Sequence, residues 1–213
     1  MKKTIKEIEA TAKKFFQNSP GSHDWYHTKR VRNLALQIAS YEKADSTIVE
    51  IAAILHDIGR KEQEISNGKL CHAEHGAKIA EKILKKYPLK EEEKQNILHC
   101  IKTHRFRGKE KPKTKEAKIV SDADNLDAIG AIGIGRAFVF SGEIGATVHI
   151  PNQNHLNSKE HSKEDTAYRE YLVKLSKIKD RMYTKEGKRI AQKRHNFMKK
   201  FFYQLNEESM GRR

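Results

Sequence analysis

The chain has 213 residues, with 43 lysines and arginines against 28 aspartates and glutamates, for a formal net charge of +15. Hydrophobic residues make up 37%, enough for a core, and the 2 cysteines, Cys71 and Cys100, form neither a CxxC pair nor a disulfide framework. No apolar run approaches the roughly 20 residues that cross a bilayer, so a membrane-spanning class is excluded along with a disulfide-stapled one.

Met1-Lys-Lys-Thr-Ile-Lys-Glu7 is basic without an apolar stretch after it, so no secretory signal is expected and the cytoplasm is the expected compartment. The basic excess attracts polyanions, either nucleic acid or phosphorylated small molecules. Lysines alternate with glutamates along most of the chain, as on solvated helix faces, and no RNP signature, zinc-finger spacing or Gly-Arg tract is present. Nucleic acid is therefore not the expected partner. With few prolines and no internal repeat, one all-helical domain over 1–213 is expected, with its core at about 20–140 and two C-terminal helices at about 164–207.

In chain order, residues 4–17 carry a helical rhythm (Ile5, Ile8, Ala12, Phe15, Phe16), and Asn18 to Gly21 is a turn. His23 and His27 stand at the entry of a second helix striped by Val31, Leu34, Ala35 and Ile38; His27, four residues before Val31, projects from its buried face. Asp45 caps a third helix whose apolar stripe, Ile48, Ile51, Ala52 and Leu55, runs into His56 and Asp57. Gly59 suits a left-handed turn closing that helix. Burying a histidine and an aspartate there is costly unless something pairs with them, and a divalent cation binding both removes the cost.

A solvated polar loop is expected from Lys61 to Leu70, with Asn67-Gly68 as a turn. His72 and His75 then share one side of the first turn of the next helix, which Pro88 ends. The following helix presents Ile97, Ile101 and His104 inward, with His99 off that stripe and exposed. After a basic loop, Arg105 to Lys115, three acids enter an apolar segment: Asp124 and Asp127 share an inward face, while Asp122 projects elsewhere. Inward acids must meet cations or basic side chains. Glycines from Gly130 to Gly145 match no dinucleotide motif, residues 146–162 form a polar loop, and final helices cover Glu164–Tyr183 and Lys185–Glu207.

The order His27, His56-Asp57, Asp124 resembles the HD-domain superfamily of metal-dependent phosphohydrolases. The likeness to its small bacterial single-domain branch covers about the whole chain, through Ser-His-Asp-Trp-Tyr-His27, Leu-His-Asp-Ile-Gly59, Cys-His-Ala-Glu-His75, Thr-His-Arg-Phe106, Asp122 to Gly133, and Lys174 to Asp180. It implies that His27, His56, Asp57 and Asp124 ligate one divalent cation, and each of these already sits on or at the end of an apolar helical face. Two imidazoles and two carboxylates suit manganese first, or magnesium, iron, cobalt or nickel, better than a closed zinc site. The resemblance further implies His72 and His104 as phosphate contacts or proton donors, and Lys174 as a phosphate-binding lysine. Arg136 and Arg194 are weaker candidates for that role, and Asp127 would orient a histidine or a water.

Relatives acting as 5'-nucleotidases or alarmone hydrolases carry a glutamate three residues after the HD aspartate; Arg60 stands there and argues against both activities. The implied chemistry is hydrolysis of a nucleoside triphosphate to monophosphate and pyrophosphate by a metal-activated water, with Asp57 or Asp124 taking its proton. Alternatives are a nucleotide phosphomonoesterase, a cyclic-nucleotide phosphodiesterase, or a non-catalytic nucleic-acid- or nucleotide-binding protein on the same scaffold.

Overall fold

The computed structural model describes residues 1–17, 24–66, 69–105, 110–151 and 155–212, and among them every regular element is helical. They form two compact units, Met1–Asp124 and Asn125–Arg213. His23, the Asn67-Gly68 turn and parts of the expected turn at 18–21 and loops at 105–115 and 146–162 lie outside the described residues.

The first unit holds α1 (Lys2–Lys13), α2 (Trp25–Glu42), α3 (Ser46–Leu55), α4 (Arg60–Ile65), α5 (His72–Leu84), α6 (Glu91–Thr103) and most of α7 (Lys115–Asp127). Its centre is α3, which packs against α1, α2 and α6. From Ile48 to Leu55 only Glu50 escapes full burial, because nearly every position is aliphatic and neighbours cover all sides of the helix. Asp45 starts it as expected, its carboxylate accepting the amides of Thr47 and Ile48 at 2.8 and 3.1 Å. Glu50 is met by Arg32 of α2, whose guanidinium also reaches Glu9 of α1 at 3.2 Å.

In the second unit α8 (Gly130–Glu143) packs on α9 (Ala167–Val173) and on α10 (Lys185–Ser209). Buried Arg169 ties the chain before α9 together, donating to Asp165 at 2.8 Å and to the Ser158 carbonyl at 3.0 Å. The core adjoining it is aromatic, with Tyr171 stacked on Phe202 at 4.5 Å between centroids.

Several local expectations are corrected. Lys61 to Leu70 is not wholly a loop, since α4 occupies its first half; the helix is short and lacks an apolar stripe, which is why periodicity misses it. Gly59 has φ −94°, so it is not left-handed. Its need for glycine is steric, because a Cβ there would stand 2.5 Å from the His72 carbonyl oxygen and 2.6 Å from the Gly76 nitrogen. Helix α5 stops at Leu84, four residues before Pro88. Asp122, expected to project away from the face of Asp124 and Asp127, is fully buried, and His99, expected to be exposed, is half-buried, its Nε2 accepting the Lys113 amide at 3.0 Å. The first C-terminal helix is broken at Lys174, where backbone torsions of −133° and −58° separate α9 from a 3-10 segment, Leu175–Arg181.

Candidate metal centre

Six of the predicted side chains converge inside the first unit. His27 comes from the first turn of α2, and its backbone is anchored there because the Asp24 cap accepts the His27 amide at 2.8 Å. His56 and Asp57 follow the end of α3 without a break in burial. His72 opens α5, His104 closes α6, and Asp124 projects from α7. The Ser121 hydroxyl donates to the His104 carbonyl at 2.9 Å, pinning the end of α6 to α7.

The ligand atoms form two triads joined by Asp57. In the first, His27 Nε2 lies 3.3 Å from His56 Nε2 and 3.4 Å from Asp124 Oδ1. Asp57 Oδ2 completes it, 3.6 Å from His27 Nε2 and 3.7 Å from His56 Nε2. In the second, Asp57 Oδ1 is 3.3 Å from His72 Nε2 and 3.6 Å from His104 Nε2, and those two nitrogens are 3.1 Å apart. In His27–His56–Asp124 and in Asp57–His72–His104 the ligand atoms all lie within 4.8 Å of one another, close enough to hold a cation. Ligands about 2.1 Å from a first-row ion stand roughly 3 to 3.4 Å apart.

The second ring nitrogens fix which atoms face inward. His56 Nδ1 donates to the Ala53 carbonyl at 2.8 Å, and His104 Nδ1 donates to the Ile101 carbonyl at 2.6 Å. Carbonyls only accept, so both Nδ1 atoms carry the proton and Nε2 keeps a lone pair. His72 is held likewise by Gln63, whose Oε1 accepts its Nδ1–H at 2.7 Å and its backbone N–H at 3.2 Å. Three imidazoles are thus turned, lone pair inward, around two carboxylates. That is how metal-ligating histidines are normally prepared.

Electrostatics agree with the geometry. Burial pushes the His56 imidazole down to about 4 despite Asp57 and Asp124 beside it. Burial likewise pushes His72 down to about 2 against the pull of Asp57, and His104, Arg60 and Arg105 add to the fall. Burial alone would raise the Asp57 carboxyl, yet Arg60, then His56 and His104, hold it well below the usual carboxylate range. Asp124 is also held low, by its bond to His27 and the surrounding imidazoles, against burial. Neutral rings and ionised carboxylates make a nitrogen–oxygen donor set that fits a divalent cation. At 24% side-chain exposure Asp124 is more open than His27, His56 and Asp57, whose side chains are fully buried.

Other predicted residues belong to the second unit. Asp127 is buried and pairs with Arg136 at 3.0 Å. Lys174 is exposed and pairs with Glu170 at 2.6 Å. Arg194 donates to the carbonyl of Leu126 and packs over Gly130, whose φ of +81° accounts for the glycine. His75 is half-buried in α5, apart from the cluster. Sequence reasoning missed Gln63 and the pairing of Arg60 with Asp57, both in α4. A glutamine nine residues before a candidate histidine is the only trace the sequence holds of the first.

The HD domain family model matches residues 24–129. The Bacillus subtilis protein YpgQ is 33% identical over 98% of this chain and 95% of its own length. Its crystal structure in complex with ADP aligns at a TM-score of 0.73 and 30% identity, covering 97% of this chain and 95% of YpgQ. The crystal structure of an HD-superfamily hydrolase from Bacillus thuringiensis aligns at a TM-score of 0.76 and 30% identity, covering 97% of each chain. Ribonuclease Y of Borreliella burgdorferi is 28% identical over 57% of this chain but only 22% of its own.

Proposed function

Because this chain belongs to the HD domain family of hydrolases, we propose that it hydrolyses nucleoside triphosphates to the monophosphate and pyrophosphate. The observation that carries the proposal is the locked inward lone pair of His56, with His27 Nε2 3.3 Å away and carboxylate oxygens of Asp57 and Asp124 at 3.6 and 3.4 Å from that His27 nitrogen. These four residues would hold one divalent cation, manganese in the first instance. Such an ion supplies charge neutralisation at phosphorus and a water of lowered pKa.

The chain's own residues do the rest. Asp57 and Asp124 are ionised and can take a proton from an attacking water. His72 and His104 face each other at Nε2 with both Nδ1 protons committed to acceptors. Their Nε2 atoms, 3.1 Å apart, present two lone pairs that a proton donor such as a water or a protonated phosphate oxygen would meet. A proton received there could then pass to the leaving group. Asp57 Oδ1, 3.3 Å from His72 Nε2, would steady the charge on a ring that takes up that proton.

The nucleotide assignment draws support from the ADP complex of YpgQ, which is similar along nearly its whole length. It is tested by loading the protein with manganese, supplying ATP and other nucleoside triphosphates, and resolving the phosphorus products. Monophosphate and pyrophosphate, formed only with metal, are expected. Orthophosphate from a monophosphate, or ring opening of a cyclic nucleotide, would move the proposal to the phosphomonoesterase or phosphodiesterase alternative. No metal-dependent turnover of any nucleotide would end it.

A further inference from the structure

Arg60 grips the one carboxylate that both triads share. Its Nη2 donates to Asp57 Oδ1 at 3.0 Å and to Oδ2 at 2.9 Å, and its Nε reaches Oδ2 at 3.3 Å. It opens α4 directly after Gly59, with its side chain 18% exposed while that of Asp57 is wholly buried.

Two observations oppose each other at the second triad. Asp57 Oδ1, His72 Nε2 and His104 Nε2 converge there, with both rings oriented by acceptors behind them, so the donors for a second cation are assembled. Against them stands a fixed guanidinium on the shared carboxylate, and both Arg60 and Arg105 act on His72 as positive charge. With one divalent ion in the first triad, Asp57, Asp124 and Arg60 leave the centre one charge positive. A second ion would take it to three, in a region where burial leaves little water to screen the repulsion. Arg60 cannot relieve this by losing its proton.

We infer that Arg60 sets the metal occupancy of the site: its permanent charge on Asp57 holds the centre at one divalent ion and reserves the His72–His104 pair for the substrate's anionic end. The inference rests on the metal site proposed above. It makes Arg60 a positioning residue, acting through Asp57 rather than on the reacting atoms. Without that charge, the prepared donors should take up a second ion.

Manganese alone is the probe, titrated into the full chain by equilibrium dialysis, with bound metal counted and the Mn2+ paramagnetic resonance spectrum recorded. Wild type is expected to bind one ion with an isolated-ion spectrum. Arg60→Gln is expected to bind two, the second more weakly, with spin coupling between neighbouring ions. Arg60→Lys keeps the charge and should stay at one. Arg60→Gln with His104→Ala should return to one. Arg60→Met, which keeps a long apolar stem, repeats the measurement if the glutamine variant does not fold. Two ions in wild type, one ion in the neutral variants at saturation, or two in Arg60→Lys would each overturn the inference while leaving the metal site standing. No ion in folded wild type would instead overturn the metal site itself.

Discussion

Gln63 Oε1 accepts both the ring Nδ1–H and the backbone N–H of His72, at 2.7 and 3.2 Å. One side-chain oxygen on α4 thereby fixes the tautomer of a buried imidazole and the start of α5. Replacing it with leucine removes both bonds and frees the ring to turn or change tautomer. Outer hydrogen bonds of this kind typically matter about 10- to 100-fold in activity or metal affinity. We expect Gln63→Leu to lose about that much kcat/KM for the preferred nucleotide, and Gln63→Glu, which keeps an acceptor, to lose less. Equal losses in the two variants would show that the tautomer lock is unimportant.

Asp57 and Asp124 should separate in their effect on stability although both are proposed ligands. Asp57 is wholly buried and neutralises Arg60, whereas Asp124 keeps 24% side-chain exposure. Asp57→Asn leaves a guanidinium without its charged partner, and breaking such a pair costs on the order of 3–5 kcal/mol. Asp124→Asn should cost the metal-free protein much less, roughly 1 kcal/mol or below. Both should abolish tight manganese binding. Urea unfolding of the two metal-free variants checks the contrast, and an equal loss would contradict the role given to Arg60 as the partner of Asp57.

Much of this centre was legible in the sequence because helical periodicity decides which side chains turn inward. His27, Asp124 and His104 each continue an aliphatic stripe, and the His56-Asp57 pair ends the most buried helix, so their convergence follows once the helices pack. What escaped was set by contacts between segments. Gln63 lies in a run of charged and polar letters that reads as solvated surface, and its partner His72 becomes apparent only when α4 lies against α5; Arg60 stands out in the sequence only as the residue three places after Asp57, not as its ion-pair partner. Asp122 breaks the stripe rule because α7 is buried on more than one side. Gly59 suggests a left-handed torsion that it does not adopt; the approach of α5 that requires it leaves no mark on the local sequence.

Gly59→Ala tests that approach. The new methyl would meet backbone atoms of His72 and Gly76 at 2.5 to 2.9 Å, and backbone cannot swing aside as a side chain can. Overpacking of this kind costs about 1–3 kcal/mol, and the displacement falls on the residue that carries the His72 ring. Gly76→Ala brings its methyl only to 3.3 Å from the Gly59 nitrogen and should be milder. The melting temperature is expected to fall further for Gly59→Ala than for Gly76→Ala, with kcat/KM falling in the same order. The reverse order would mean that α5 does not lie where described.

Acid should unfold the metal-free protein earlier than its carboxylates alone imply. The folded state holds His56 down to about 4 and His72 to about 2, against an ordinary 6.5, so the unfolded chain binds more protons below that value. The sign follows from linkage: the stabilising contribution of each neutral ring is complete above about pH 6.5 and shrinks as pH falls toward the folded value. For each ring the loss approaches about 1.4 kcal/mol per pH unit inside its window. Asp57 and Asp124, also held low, add their own loss below the ordinary carboxylate value of 3.8. Metal-free wild type should therefore lose stability steadily from pH 6.5 to 4. His56→Gln with His72→Gln, whatever its absolute stability, should have a visibly flatter profile over that interval. Manganese should steepen the acid loss in wild type, since protons and the ion compete for the same nitrogens. Parallel wild-type and double-variant profiles from pH 6.5 to 4 in metal-free buffer would show that the buried rings are not the acid-sensitive groups.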